Sequence, residues 1–328
     1  MIQSIQALGL SIGKLLLFLI LGFMIFRIDF FKKRVFPLFF KIQLNLLFPL
    51  YFIHNFPSGW NKALGSGWFW MPIFFLACVI MMVFQLALGR FIIEKKKWIK
   101  TEHPQSLTLL FSSHNAGYIP LPILASVLDS SFMVFMFFYV MAFNIIFWTY
   151  TVNNFKGKSR EKTGSILTPP LVGILIGIII SLLNMAFPFY AQLPLLYTSF
   201  MDQLSSITLT LILVLLGGIL ASIPVKHLSI RKEYIQVGIV KLIAYPLFFL
   251  AMLFILPLES LPPVMRLGIP LALIIEAATP PATNIMIIAK AFGSEGDLSY
   301  LGSGIIFTYA MSFITLPIFL IITLIIFQ

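Results

Sequence analysis

The side chains best suited to binding a ligand lie in two apolar stretches that prolines interrupt. The first stretch contains Ser112, Ser113, Asn115, Gly117, Pro120 and Pro122, and the second contains Glu276, Thr279, Pro280, Pro281, Thr283 and Asn284. Proline removes a backbone donor and clashes with the preceding turn of a helix, so two prolines in or near one turn predict an unwound helix. The amide and hydroxyl side chains beside the freed backbone groups then form a polar site inside an apolar segment.

Glu276 is the acidic residue that the sequence places deep in such a stretch. A carboxylate at the centre of a bilayer costs at least a few kcal/mol unless it is paired or neutralised. We expect it to bind a coupling cation. The preferred cation is sodium, which would be bound by Glu276 together with Asn115, Ser112 or Ser113 and freed carbonyls. The second choice is a proton carried by the carboxyl group itself. The alternative is a structural carboxylate that is hydrogen-bonded to the unwound backbone.

Three asparagines are candidates for substrate binding, namely Asn115, Asn284 and Asn45, the last of which precedes Phe48-Pro49. A half-helix that begins after each break would point its positive N-terminal end at an anion, so no buried cation is required. Asn115 and Asn284 could instead cap their broken helices. Lysines at positions 14, 41 and 241 lie within apolar stretches, where they either snorkel to the interface or attract substrate.

The composition excludes a water-soluble fold and most enzyme classes. Of the 328 residues 60% are hydrophobic and 10% are charged, whereas soluble domains carry about 25% charged residues. The net charge of +11 does not indicate nucleic-acid binding, because the basic residues lie in short loops between apolar stretches. His114 adjoins Ser113, but adjacent residues on a helix do not face each other, and no carboxylate completes a triad. No phosphate-binding glycine-rich loop is present.

We expect ten transmembrane helices, because a helix that crosses a hydrocarbon core of roughly 30 Å needs about 20 mostly apolar residues. The predicted spans are near 7–27, 35–56, 68–91, 106–127, 132–152, 166–189, 205–224, 235–256, 267–291 and 300–327. The fourth and ninth spans are the ones that carry the proline-interrupted stretches.

The distribution of basic residues predicts the orientation of these helices. The loops after the odd-numbered spans hold 17 of the 22 Lys and Arg residues. Because cytoplasmic loops carry the excess of Lys and Arg, these loops are predicted to face the cytoplasm and both termini to face outside. The protein is therefore expected to be a multi-pass protein of the cell (inner) membrane.

The two interrupted spans are five helices apart, which indicates an internal repeat of five helices. Because five is odd, the second unit enters the membrane from the opposite side, so the predicted repeats, 1–155 and 156–328, are inverted. At 1.5 Å per residue, Asn115 and Glu276 each lie roughly 14 Å from the surface where their helix begins. Both residues are then near the midplane, where substrate and ion sites of such transporters form.

At these residues the chain resembles the auxin efflux carrier family. The family's Asn-x-Gly-x-x-Gly-x-Pro pattern corresponds to Asn115 through Pro122, and its Met-Pro segment corresponds to Glu276 through Asn284. The stretch Ala289–Gly293 and the final Leu316-Pro317 also fit. Pro120 replaces the family's second glycine and Thr279 replaces its methionine, so the substrate of the family is not carried over to this chain.

The resemblance implies a fold shared with bile-acid sodium symporters, in which the fourth and ninth helices cross at their breaks. The expected fold is an all-α integral membrane protein with ten helices in two inverted repeats. The expected function is secondary active transport of small organic anions (carboxylates) by alternating access. The alternative is a membrane sensor or scaffold that does not transport. The expected partners are the anion and membrane lipid, with a homodimer left open, and no cofactor is expected besides coupling Na⁺ or H⁺.

Overall fold

A computed structural model of the chain describes residues 2–153, 166–223 and 230–327. Within these ranges the chain is all-helical, with 84% helix and no strands. Apart from two single 3-10 turns, the twelve helices of the described residues are α1 Ile2–Ile25, α2 Phe31–Gly67, α3 Trp70–Lys95, α4 Pro104–Ser112, α5 Pro120–Val127, α6 Ser130–Thr151, α7 Pro169–Ala186, α8 Leu195–Ser222, α9 Lys232–Leu253, α10 Pro263–Ala278, α11 Ile285–Phe292 and α12 Glu295–Phe327.

Eight of the described helices are long and apolar enough to cross a membrane. They correspond to the predicted spans other than the fourth and ninth, which form the helix pairs α4/α5 and α10/α11. The largest differences in boundaries are at α2, which ends at Gly67 rather than near residue 56, and at α8, which begins at Leu195 rather than near residue 205. Asp202 lies in the part of α8 that precedes residue 205, and its carboxylate is 2.8 Å from His54 Nε2. This contact with α2 stabilises a helical segment that hydropathy alone does not indicate.

Several prolines inside long helices change the helical register without ending the helix. The backbone N–H of Phe48 donates to Gln43 O, five residues back, immediately before Pro49. Pro49 has no N–H to donate to the carbonyl four residues before it. The helix accommodates this loss with one π-helical turn immediately before the proline, and it then continues. The same π turn precedes the prolines at positions 37 and 246.

Close helix pairs surround the interrupted ones. Helix α1 packs against α8, α2 against α7, and α3 against α6. The first pair is held close by glycines: a Cβ atom on Gly217 would lie 2.1 Å from Leu19 O, and one on Gly22 would lie 1.9 Å from Val214 O. Small residues allow this approach of two backbones, which is the usual basis of helix packing in lipid.

The two interrupted helices lie in the core of this bundle. Helix α4 ends at Ser112 and α5 begins at Pro120, so residues 113–119 form the first break. Helix α10 ends at Ala278 and α11 begins at Ile285, so residues 279–284 form the second break. The predicted boundary between the repeats at 155/156, and the basic residues at positions 156, 158, 160, 162 and 226, lie outside the described residues.

Candidate functional site

The two breaks meet and pair their backbones. The N–H of Asn115 donates to Pro280 O at 3.1 Å, and the N–H of Ala282 donates to Ser113 O at 3.0 Å. These two bonds form an antiparallel bridge between His114 and Pro281. Each break therefore satisfies backbone groups that the other break frees, which allows non-helical chain to lie inside a membrane protein.

The crossing is buried, and proline accounts for its chemistry. His114 and Thr279 have no exposed surface, and Asn115 is 3% exposed. Because Pro280 and Pro281 have no N–H, they leave the carbonyls of Glu276 and Ala277, four residues earlier, without their α-helical donors, and the helix ends there. Within the break that follows, Pro280 O accepts from the N–H of Asn115 in the first break. The expectation that the fourth and ninth spans are interrupted and meet at their interruptions is thus confirmed.

A cleft of about 160 Å³ opens beside the crossing, and we call it the inner cleft. Its wall includes Trp148 and Thr168, which flank the loop predicted to face the cytoplasm. Five of the predicted substrate residues line it, namely Asn45, Asn115, Gly117, Thr283 and Asn284. No Lys, Arg, Asp or Glu is present among its described lining residues. Over its described lining residues the inner cleft is therefore neutral, with amide and hydroxyl groups on largely apolar walls.

Asn115 joins the first break to the rest of the bundle. Its Nδ2 donates to the hydroxyl of Tyr309 at 3.0 Å, and its Oδ1 accepts from the backbone N–H of Tyr118 at 2.9 Å. The second bond closes a turn immediately before α5. Asn115 thus has the capping role that the sequence analysis gave as its alternative. Asn115 both caps the break and lines the inner cleft.

The second break places a hydroxyl group and the start of a half-helix beside the inner cleft. Thr283 Oγ1 is buried and has no hydrogen-bond partner among the described residues. Thr283 and Asn284 precede Ile285, the first residue of α11, so the N-terminal end of this half-helix adjoins the inner cleft. The N–H groups of Ile285, Met286 and Ile287 already donate to the carbonyls of Ala282, Thr283 and Asn284, so it is the positive end of the helix dipole that favours an anion at this position.

The other predicted substrate residues have different positions. Pro120 is the first residue of α5, and Thr279, Pro280 and Pro281 belong to the second break, but none of the four lines the inner cleft. Pro122 lines a second cleft on the far side of the crossing, which we call the outer cleft. Of the predicted substrate residues, these five frame the crossing without reaching the inner cleft.

Glu276 lies apart from the inner cleft, in a buried polar cluster. Its carboxylate is fully buried, and neither oxygen has a hydrogen-bond partner among the described residues. The nearest titratable partner is His114, whose Nε2 lies 3.6 Å from Oε2. That ring also contacts the hydroxyl of Tyr139 at 2.9 Å through Nε2 and Gln85 Oε1 at 3.2 Å through Nδ1.

Among the described residues, none of the other predicted ion ligands hydrogen-bonds to the Glu276 carboxylate. Ser112 lines a small separate cavity together with Arg90 and Glu94. Ser113 Oγ is buried without a hydrogen-bond partner among the described residues. The amide of Asn115 is already committed to Tyr309 and Tyr118.

Lys241 has a structural position that its place in an apolar span did not indicate. It is 1% exposed, and its ammonium group donates to Phe111 O at 2.6 Å. This carbonyl lies at the C-terminal end of α4, where the break diverts the N–H of Asn115 to Pro280. A cation at the end of a helix compensates free carbonyls, so Lys241 caps the half-helix. It does not snorkel to the interface.

Sequence reasoning missed residues that reach the site from other helices. Tyr139 and Asn144 of α6 and Gln85 of α3 belong to this group. The place of His114, which lies in the first break itself, was also missed, because it was considered only as a catalytic group. An amide inside an apolar span was the available signal for Asn144 and Gln85. For Tyr139 and His114 the roles depend on packing between helices, which no local pattern indicates.

An all-helical bundle with eight apolar spans and two interrupted helices that pair at a polar crossing is the architecture of a membrane transport protein. Residues 161–320 match the family model described as membrane transport protein, which is the family of the auxin efflux carriers. This match over the second half of the chain confirms the resemblance found in the sequence, and the family that the model describes consists of transporters and not of enzymes. Among curated proteins, none matches the chain.

Proposed function

We propose that the protein is a secondary active transporter of small organic anions, carboxylates in particular, and that it works by alternating access at the helix crossing. The observation that carries the proposal is the inner cleft, whose described lining holds no charged side chain and includes polar groups from both breaks. Its volume is below the roughly 300–1,000 Å³ of sites for drug-sized ligands, which favours a small substrate.

The chemistry of the inner cleft supports an anion without a charged side chain. The N-terminal ends of α5 and α11 both adjoin the crossing, and helix N-termini favour negative charge. Thr283 Oγ1 and the amide of Asn284 supply donors that a carboxylate can accept from. The apolar walls supplied by residues such as Phe48 and Phe143 suit the hydrocarbon part of an organic anion.

The helix contacts support the proposed ten-helix arrangement in two inverted repeats. If the second repeat follows the first in order, α1 corresponds to α7, and α2 corresponds to α8. Exchange of the two halves then converts the α1–α8 contact into the α7–α2 contact, and both contacts are present. A pair of halves related in this way allows one helix group to rock against the other around the crossing, which alternates access.

We further propose that Glu276 binds the coupling cation, either H⁺ or Na⁺. The surroundings of Glu276 favour the proton over sodium. A hard cation needs several oxygen ligands, whereas the nearest partner of the Glu276 carboxylate is the imidazole of His114. The Asn115 oxygen that sodium would require accepts instead from Tyr118 N–H.

Uptake and efflux by the purified protein in liposomes test the proposed function. A panel of mono- and dicarboxylates is offered under an imposed proton gradient and, separately, under a sodium gradient at fixed pH and zero membrane potential. Accumulation of at least one carboxylate above equilibrium is expected, driven by the proton gradient. Empty liposomes and liposomes with Asn115→Ala are the controls.

Two results would count against the proposal in different ways. Transport that follows only sodium would overturn the preference for the proton but keep the transporter. The absence of uptake, efflux and exchange for the whole panel would overturn organic-anion transport and favour the sensor or scaffold.

A further inference from the structure

The outer cleft is a polar cavity on the side of the crossing away from the inner cleft. It has a volume of about 380 Å³. Half-helix α5 runs between the two clefts, since Leu121 lines the inner cleft and Pro122 lines the outer cleft. The volume falls within the usual range of ligand sites, roughly 300–1,000 Å³.

One cation and many hydroxyl groups line the outer cleft. The cation is Lys14 of α1, and the polar groups around the cleft include Ser11, Asn55, Ser126, Ser206 and Thr210. No Asp or Glu is present among the described lining residues. Lys14 therefore has no carboxylate partner on the wall of this cleft.

An uncompensated cation at this depth calls for an explanation. Lys14 lies within the apolar span Leu8–Ile25 of α1. Ionisable residues inside transmembrane helices are costly, usually face a water-filled cavity or a partner, and commonly mark substrate pathways. Because Lys14 lines a cavity with hydroxyl donors and without Asp or Glu among its described residues, the chemistry of this lining suits an anion.

A layer of aromatic side chains separates the outer cleft from the inner cleft. Tyr51 lines the outer cleft, and Phe52, the next residue, lines the inner cleft. Both rings pack edge-on against Phe137 of α6, with centroids 5.7 and 5.0 Å apart. The two clefts thus approach the same helix crossing from opposite sides without joining.

We infer that the outer cleft is a second anion site, in which Lys14 binds the carboxylate group of the transported anion on the opposite side of the crossing from the inner cleft. The inference rests on the proposed function for the identity of the anion. The ammonium supplies the charge, and hydroxyl groups such as those of Ser206 and Thr210 supply further donors to the carboxylate oxygens.

Lys14→Gln tests the site, with Lys41→Gln as the matched control. Lys41 is also an exposed lysine within an apolar span, but it lines neither cleft. The measurement is carboxylate-dependent thermal stabilisation of the purified protein in a neutral detergent, with acetate, malonate and succinate as probes. We expect Lys14→Gln to weaken the apparent affinity about tenfold or more, since the bond it removes is charge-assisted. Lys41→Gln and Lys14→Arg should stay close to wild type.

The outcomes separate this inference from the proposed function. Carboxylate transport by the wild type, together with equal stabilisation of the Lys14→Gln and Lys41→Gln variants, would overturn the outer site and leave the function standing. Lys14-dependent stabilisation without transport by the wild type would keep the site and overturn the function. Lys14-dependent stabilisation by phosphatidylglycerol in mixed micelles, with none by the carboxylates, would overturn the inference because the anion would then be a lipid headgroup.

Discussion

Replacing Glu276 with glutamine tests whether the buried carboxylate couples transport to a cation gradient or holds the structure together. The substitution keeps the shape of the side chain and removes both its charge and its titratable proton. Neither carboxylate oxygen has a hydrogen-bond partner among the described residues, so the change breaks no hydrogen bond seen there. A structural carboxylate bonded to the unwound backbone would behave differently, because its partners would be left unpaired.

The expected effect on stability is small. A charged residue at the centre of a transmembrane helix costs about 2.5–3.5 kcal/mol, and Glu276→Gln removes that cost if the group is charged. A buried amide without a partner costs about 1–3 kcal/mol, which offsets most of the gain. We therefore expect the two to balance within about 2 kcal/mol, and each kcal/mol shifts Tm by about 2–4 °C in a domain of 150–250 residues.

The expected effect on coupled transport is large. A tenfold cation gradient stores about 1.4 kcal/mol per cation, so a carrier that moves one cation with each substrate sustains about tenfold accumulation. Without the titratable group, Glu276→Gln should reach a ratio near one, although substrate exchange can continue. The assay is substrate accumulation in liposomes under an imposed proton gradient. Glu259→Gln, at an exposed carboxylate between α9 and α10, is the matched control.

Two results would refute this reasoning. If Glu276→Gln accumulates substrate as well as wild type does, the carboxylate does not couple transport. If the variant lowers Tm by clearly more than the balance above allows, while Glu259→Gln does not, the carboxylate has a structural role that the contacts of the described residues do not account for.

Three further predictions follow from the crossing, the helix packing and the charge distribution. Asn115→Ala removes the hydrogen bonds to the Tyr309 hydroxyl and the Tyr118 N–H, and it should raise the KM for substrate about tenfold. Asn153→Ala, at an exposed position, is the control and should leave KM unchanged. An equal KM in the two variants would contradict the prediction. Gly217→Val places a Cβ 2.1 Å from Leu19 O and should lower Tm and folded yield, while Gly9→Val meets nothing within 4 Å and should be tolerated; the reverse order would refute the packing argument. Lys96→Cys or Lys158→Cys, after replacement of Cys78, should be labelled only from the cytoplasmic side, and labelling by an impermeant reagent from outside would reverse the topology.

The two breaks are the part of the fold that sequence predicted best. Paired prolines with neighbouring polar residues predicted interruptions at 112–122 and 276–284, and the structure has breaks at residues 113–119 and 279–284. The reason is local: a proline in mid-helix removes a donor wherever the helix packs. A single proline does not always interrupt a helix. At Pro37, Pro49 and Pro246 a π turn precedes the proline and the helix continues.

The sequence did not predict which side chains around the crossing share a site. Asn115 and Glu276 were expected to share one ion site, but Asn115 lines the inner cleft while Glu276 lies with His114 outside it. Residues near one another along a break point to different sides of it, and local spacing does not say which helix supplies the opposite wall. Lys241 was expected either to snorkel or to attract substrate, and its capping role was not foreseen for the same reason, since its partner, the Phe111 carbonyl, is on another helix.

The sequence by itself determined that the chain is an apolar helical protein of the membrane, where its helices fall and where two of them are interrupted. These properties depend on local hydropathy and on the missing N–H of proline, which act within a few residues of the chain. Only the tertiary structure decided which interruption pairs with which, which polar groups face the inner and outer clefts, and which lysine is buried and which is exposed to a cavity. Those outcomes depend on contacts between helices distant in sequence, such as the two hydrogen bonds that join residues 113–115 to residues 280–282.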